Sequence, residues 1–365
     1  MTPYLQQFLY SQQLTVRLAL FLILLFSMLT VSLIIFTFLS RIYNELVRIR
    51  NDRFSKIYEN LFFLYLNNPN DPHLISNMRK IRHKEKFYQF LIPYLKTLKG
   101  LEHDRTMQLI YELKIPPEMQ KHLNHRRRWK RAYAAFVLGE LKYAPALPYL
   151  EKAARDKFYF VQFQAARAII RIGNTRYLYR AILFLFYTPH LSPYQMMLGL
   201  MELPESGLEI CLEILKEVNA LTDVQKKLIV DLFTYRRYNT AAPEILELLK
   251  QTRHWELKIS CIRALGLLNY MPAVFVLRNM LQEKDWVLRS QVLLTLGRIG
   301  DLGSLPEFLE DLKSNIFWVK YNAGLALYYL GEIGIEHLQK IKNDPQHPGH
   351  EIAEQILIQH RAMAG

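Results

Sequence analysis

The chain has 365 residues, 51% of them apolar, with 14 Gly, 16 Pro and a net charge of +14. That is ample for a core, and it excludes collagen-like and low-complexity chains while pointing to anionic partners. Cys211 and Cys261 lie in apolar helical patterns with no CxxC spacing, which excludes a disulfide framework and reads as reduced, buried thiols.

In chain order, the first element is LALFLILLFSMLTVSLIIFTFL, from Leu18 to Leu39, which carries no charge. As a helix it is roughly 33 Å long, enough to cross the hydrocarbon core of a bilayer. A cleaved signal peptide is the alternative. The run is longer than the usual signal core, its leader carries only Arg17, and no A-x-A-like site follows, so the sequence predicts a retained transmembrane helix. Arg41, Arg48, Arg50, Arg53 and Lys56 follow the span, against Glu45 and Asp52. By the positive-inside rule these flanking cations place the C-terminal bulk in the cytoplasm and the N-terminus outside, at the inner (cytoplasmic) membrane.

The helical pattern continues past the span. Ile42, Leu46, Ile49, Ile57, Leu61 and Leu64 make a stripe at helical spacing and predict a stalk that packs on its own domain, with a dimeric coiled coil as the alternative. NNPNDPH, residues 67 to 73, ends the helix.

Beyond residue 120 the chain repeats itself. WKRAYAAFVLGEL from Trp129, VQFQAARAIIRIG from Val161, LKISCIRALGLLN from Leu257, LRSQVLLTLGRIG from Leu288 and VKYNAGLALYYLG from Val319 align as one pattern. An apolar residue opens each segment, a basic one follows in all but Val161, and small or apolar residues lead to L-G or I-x-x-G. Pro193 and Val224 fill the gap between the second and third segments, and HEIAEQILIQ near His350 starts a partial unit. Pro148, Pro243 and Pro306 each open a second helical stretch, where a missing N–H is tolerated. Asp285 stands where it can cap the helix beginning at Trp286. Each unit therefore reads as helix, turn, helix. One such pair cannot bury its own apolar face, and stacked pairs can, which predicts an α-solenoid.

These units resemble bacterial HEAT repeats, in particular the short type shared with phycobilin-lyase-like proteins. The resemblance rests on the V-[KR]-x-x-A-x-x-A-L-G helix, the closing glycines Gly173, Gly300 and Gly331, and a first helix near P-x-L. It covers roughly residues 129 to 360 and is specific to fold. The units at Pro193 and Val224 depart most from the pattern, lacking the small-residue helix and the closing glycine. The expected organisation is all-α, as in a bacterial membrane-anchored HEAT-repeat protein: an extracytoplasmic N-terminus at 1–17, a transmembrane helix at 18–39, a helical stalk at 40–66, a basic irregular helical linker at 67–124 and the HEAT-type solenoid at 125–362.

Within this register HRRRWKRAY, residues 125 to 133, divides in two. Trp129 takes the apolar slot and Lys130 the basic slot, so Trp129 is expected to pack between units and Lys130 to pair with acidic groups in the neighbouring turn, and Trp255, Trp286 and Trp318, just before the slot in later units, are expected to pack. Arg126, Arg127 and Arg128 have no counterpart in other units. From Arg79 to Arg131 there are 15 Lys or Arg against 5 Asp or Glu. Arg126, Arg127, Arg128, Lys130 and Arg131 are therefore the candidate binding residues, for anionic lipid of the inner leaflet or for an acidic partner protein. A cation near an anionic leaflet gains about 1 kcal/mol. Nucleic acid is disfavoured because a membrane anchor restricts access to it, and a solvated surface without a ligand is the fourth reading.

The pattern shows no site chemistry. His122 and His125 have only Glu118 nearby, and His347, His350 and Glu351 lie in the turn DPQHPGHE, so no metal is expected. No P-loop, nucleophile elbow or dinucleotide fingerprint occurs, no phycobilin-lyase functional residue can be matched, and no cofactor is implied. The sequence predicts a non-enzymatic, membrane-tethered cytoplasmic scaffold that binds another protein, itself membrane-associated, such as an envelope glycosyltransferase. The alternative is a basic HEAT-like nucleic-acid-binding protein. Neither the client nor the oligomeric state is encoded in any single motif.

Overall fold

The computed structural model describes residues 3–81 and 84–361, without the side chains of 3–18, 47, 50–54, 360 and 361. The side chains of Arg17, Arg50 and Arg53 therefore lie outside the described residues. Among those described the chain is helical, with no strand. It divides into two units, up to Ile115 and from Pro116.

The first unit begins with α1, Pro3–Asn67, 65 residues long. After Pro3 the segment holds neither Gly nor Pro, so nothing interrupts the backbone ladder. From Ala19 to Leu46 α1 is long and apolar enough to cross a membrane, with mean hydropathy 2.8 and no part of that stretch buried in protein. Asp71 then caps α2 (Pro72–Arg79) by accepting from the His73 N–H at 2.8 Å. Helices α3 (Lys84–Thr97) and α4 (Gly100–Glu112) complete the unit.

The stalk end of α1 buries a different stripe from the expected one. Tyr58, Phe62 and Tyr65, at i, i+4 and i+7, are buried, with ring centroids 5.2 Å apart for Tyr58–Phe87 and 4.9 Å for Phe62–Tyr94. Ile42, Leu46, Ile49, Ile57 and Leu64 are exposed. Two apolar stripes share the helix, and the aromatic one buries more surface per residue, so it faces α3.

In the second unit α5 (Ile115–His122) leads into α6 (Arg128–Glu140), and helix pairs follow. They are α7 (Leu147–Ala153) with α8 (Tyr159–Ile172), α9 (Thr175–Tyr187) with α10 (Pro193–Leu200), α11 (Glu205–Glu217) with α12 (Asp223–Tyr235), α13 (Ala242–Gln251) with α14 (Trp255–Leu267), α15 (Val274–Met280) with α16 (Trp286–Ile299), α17 (Leu305–Asp311) with α18 (Phe317–Tyr329), and α19 (Glu332–Lys342) with α20 (His350–Arg361). The units at Pro193 and Val224 are thus α10 and α12. Pro148, Pro243 and Pro306 lie in the first turns of α7, α13 and α17. Asp285 caps α16, accepting from Val287 and Leu288 N–H.

Each second helix packs on the next one: α6 on α8, α12 on α14, α14 on α16, α16 on α18. Small residues set how closely they approach. A Cβ on Gly139 of α6 would stand 2.7 Å from the Ala168 Cα of α8, and one on Gly297 of α16 would stand 2.3 Å from the Ala326 Cα of α18. Several of the second helices then end in a left-handed residue. Glycine supplies it at Gly173 (φ 76°) and Gly300 (φ 80°), whereas Lys142 (φ 47°), Arg237 (φ 50°) and Asn269 (φ 51°) take the same step with a side chain.

The close contacts correct the register of the first unit by one residue. Gly139 and Gly297 hold equivalent positions, so Lys130, not Trp129, aligns with Leu288. Val161, Leu257, Leu288 and Val319 are buried in that slot, Lys130 is half-buried in it, and Trp129 is 47% exposed. A lysine fits there because its methylene stem packs while its ammonium reaches water. The same shift aligns Arg131 with Arg289. Arg131 binds Asp156 and Arg289 binds Asp311, each tying its second helix to the end of the next first helix or its turn.

Candidate functional site

The turn between α5 and α6 carries the arginine run, and the turn between α7 and α8 carries Arg155, Asp156, Lys157 and Phe158. Arg131 joins the two turns. Its Nε and Nη2 donate to Asp156 Oδ2 and Oδ1 at 2.7 and 2.8 Å, and its Nη1 donates to the carbonyls of His125 (2.8 Å) and Arg126 (3.2 Å). Both side chains of this pair are 13% exposed. Burial pushes the Asp156 carboxyl up, but the hydrogen bonds from Arg131 and the Phe158 N–H outweigh it and hold the group below the ordinary aspartate range.

Between the two turns lies an open recess of about 600 Å³. Arg126, Lys152, Arg155 and Lys157 reach it as exposed cations, and its one carboxylate, Asp156, is already taken by Arg131. Desolvation, reinforced by Lys130, His122, Arg126 and Arg127, holds His125 below the usual histidine range. Its neutral ring accepts the Arg127 N–H on Nδ1 at 3.0 Å. The recess therefore offers several cations and no free carboxylate, which suits an anionic group such as a phosphate.

The five candidate cations separate here. Arg126 lines the recess, Arg127 is exposed at the helix N-cap, and Arg131 turns inward to its ion pair. The Arg128 guanidinium stands 5.0 Å from the centre of the Phe158 ring, and the Lys130 ammonium stands 5.5 Å from that of Trp129. Along α1, Arg41, Arg48 and Lys56 are exposed, Arg48 with Glu45 at 3.3 Å. Lys152, Arg155 and Lys157 were not legible as site residues, because a turn some 25 residues downstream brings them to the arginine run. The pattern surplus of the preceding segment was the only signal.

The tryptophans also differ from expectation. Trp129, Trp255, Trp286 and Trp318 are 42–55% exposed, each in the first turn of a second helix. A residue there sits at the end of the helix, beyond the interhelical contact. Among the described residues no group of three His, Cys, Asp or Glu could hold a metal ion. His122 and His125 meet edge to face at 5.9 Å. Burial pushes the thiols of Cys211 and Cys261 up to about 12, so neither is a nucleophile at neutral pH.

Two repeat families match parts of the sequence: HEAT repeats over residues 242–328, and the PBS lyase HEAT-like repeat over residues 130–156. Within the second unit, residues 130–156 and 242–328 are thus HEAT-type repeats. Three solved structures align with the chain at low identity. Escherichia coli YibA aligns at 15% identity over 72% of this chain and 97% of its own, with a TM-score of 0.42. The CpcE–CpcF complex of phycocyanin lyase from Nostoc aligns at 20% identity over 66% of this chain and 92% of its own, with a TM-score of 0.29. Human deoxyhypusine hydroxylase in complex with glycerol aligns at 14% identity over 84% of this chain and 97% of its own, with a TM-score of 0.28. Comparison with curated proteins gives no match.

The match to a PBS lyase HEAT-like repeat over residues 130–156 overturns the expectation of a non-enzymatic chain. The physical reason is general to solenoids. A HEAT array can bring polar groups together from separate repeats, so the absence of a local motif does not exclude catalysis.

Proposed function

We propose that this HEAT-repeat protein is a membrane-tethered scaffold. α1 crosses the inner membrane with the N-terminus outside, and the repeats hold a membrane-associated protein in the cytoplasm. The observation that carries this reading is the union, on one chain, of an exposed apolar helix from Ala19 to Leu46 and a repeat array. Arg41, Arg48 and Lys56 after the span favour that orientation. Sharing a bilayer concentrates scaffold and client, so weak contacts suffice.

The recess of Arg126, Lys152, Arg155 and Lys157 then takes the phosphate of an anionic headgroup in the inner leaflet. Crosslinking pull-down from intact membranes tests the scaffold, with the wild type compared against Arg126→Ala/Arg127→Ala/Arg128→Ala. The wild type is expected to retain a membrane protein that the triple variant captures less well. Carbonate extraction of the full-length chain from membranes, or digestion of its bulk by protease outside the cell, would sink the reading.

A further inference from the structure

The chain has four tryptophans, and all of them lie in the first turn of a second helix, one or two residues before the buried slot. Trp255 and Trp286 open α14 and α16, and Trp129 and Trp318 are the second residues of α6 and α18. The equivalent positions of α8 and α10 hold Tyr159, Phe160 and Tyr194, and α18 adds Phe317. All eight side chains are exposed, from 42% at Trp286 to 71% at Tyr194.

Contacts at four of the junctions show that these first turns adjoin. Arg128, Trp129, Phe158, Tyr159 and Phe160 line one recess of about 260 Å³ between α6 and α8. The Tyr159 ring meets His190, in the turn before α10, at 6.3 Å. Trp255 donates from Nε1 to Asp285, the cap of α16, at 3.2 Å. Ser290 of α16 donates to the Trp318 carbonyl of α18 at 3.1 Å. The second helices pack side by side, so their first turns form an edge, which is aromatic at α6, α8, α10, α14, α16 and α18 but not at α12 or α20, which open with Asp223 and His350.

The fold does not explain this edge. Core packing is complete without it, through buried Val161, Leu257, Leu288 and Val319 one or two residues later in each helix. The cations are concentrated at one end: Arg126, Arg127, Arg128, Arg155 and Lys157 are exposed beside the first two turns. Of the carboxylates along the edge, Asp156 is held by Arg131, Asp285 is occupied as a cap, and Asp223 stands exposed in the first turn of α12. Arg253 and Lys284 stand beside Glu256 and Glu283. Aromatic rings flanked by basic residues are the composition of protein surfaces that lie in the headgroup layer of a membrane, where the ring is half immersed and the cation meets phosphate.

We infer that the edge formed by the first turns of the second helices lies on the bilayer, with the aromatic rings in the headgroup layer of an anionic leaflet and the client received on another surface. This rests on the tethered reading above: α1 supplies the anchor, and the edge sets the posture of the repeats.

The tryptophans provide the test, because their emission comes from this edge alone. Full-length protein is reconstituted in vesicles of phosphatidylglycerol and phosphatidylcholine, with or without bromine near the carbonyl end of the acyl chains. Loss of tryptophan emission with the brominated lipids, together with shielding from aqueous acrylamide, is expected. Chains keeping a single tryptophan, with the other three changed to Phe, extend the test along the edge, and Trp129 and Trp318 are both expected to be quenched by bromine. Emission unaffected by bromine and fully open to acrylamide, in protein that still resists carbonate, overturns the inference while leaving the anchor intact. Quenching of Trp129 but not Trp318 also overturns it. Release by carbonate sinks the tethered reading instead.

Discussion

The α6–α8 and α16–α18 junctions are two readings of one template. Both have a glycine against an alanine, Gly139 on Ala168 and Gly297 on Ala326. Both have an arginine from the second helix gripping an aspartate ahead of it, Arg131 on Asp156 and Arg289 on Asp311. Both have exposed aromatic first turns. They differ in charge. The early junction is ringed by Arg126, Arg127, Arg128, Lys152, Arg155 and Lys157, whereas the late one has only Lys284 beside the cap Asp285 and Lys313, paired with Glu310, in the turn before α18. What the two share is what the fold needs, and what only the first possesses is available for binding.

The largest effect should come from the shared glycine contact. Gly297→Val places a branched side chain against the Ala326 backbone and should cost about 3 kcal/mol, as overpacking does. Gly139→Val should cost nearly as much. Thermal unfolding of the full-length protein in detergent, followed by circular dichroism, measures both. A large loss at one junction with none at the other would break the equivalence.

Next comes the ion pair. Arg131→Leu strands the largely buried Asp156 carboxylate and should cost about 2 kcal/mol at neutral pH. The two aspartates also differ in sign. Asp156 is depressed below its unfolded value, so its stabilisation is present above the unfolded pKa and is lost as pH falls through the folded one. Burial pushes Asp311 up, outweighing the opposing hydrogen bond from Arg289. Its folded form takes up a proton first, and acidification through that raised value favours folding. Relative to Asp156→Asn the wild type should therefore lose stability below about pH 4, and relative to Asp311→Asn it should gain as pH falls towards about 4. Equal slopes in the two denaturant titrations would refute the assignment.

The helix ends give a smaller effect. Lys142 closes α6 with φ 47°, where Gly300 closes α16 with φ 80°. A side chain in that left-handed region costs roughly 1 kcal/mol relative to glycine. Lys142→Gly should stabilise by about that amount and Gly300→Ala should destabilise by about the same. An unchanged melting temperature in both would show that neither turn is strained.

These comparisons also show what could be read from the sequence. The repeats were legible because close packing of second helices demands small residues at a fixed period, and Gly139, Gly266 and Gly297 are visible as letters. The unit at Val224 was obscure because Arg237 makes its closing turn without a glycine. Trp129 misled by one residue, since a lysine was filling the buried slot beside it. The exposure of the tryptophans was illegible for the same reason: the apolar pattern identifies a helix face, but not where the partner helix ends. In α1 two stripes competed, and only the packing of Phe87 and Tyr94 against Tyr58 and Phe62 selects the aromatic one. Half of the recess was hidden because Lys152 and Lys157 reach it by folding alone.

The smallest effect on stability should accompany the largest effect on binding. Arg126, Arg127 and Arg128 are exposed, and their carboxylate neighbour Asp156 is bound by Arg131. Arg126→Ala/Arg127→Ala/Arg128→Ala should therefore change unfolding by no more than about 0.5 kcal/mol, as surface substitutions do. Yet each cation lost at an anionic surface removes about 1 kcal/mol of attraction. Quenching by brominated phosphatidylglycerol should fall towards that seen with phosphatidylcholine alone. Lys313→Ala/Lys340→Ala/Lys342→Ala is the matched control, removing the same charge from the late repeats, where Lys313 and Lys340 sit in exposed pairs with Glu310 and Glu336. If position matters, the control keeps its quenching. If both triples lose it equally, only the overall charge of the chain draws it to lipid, and the recess between the first two turns has no special part.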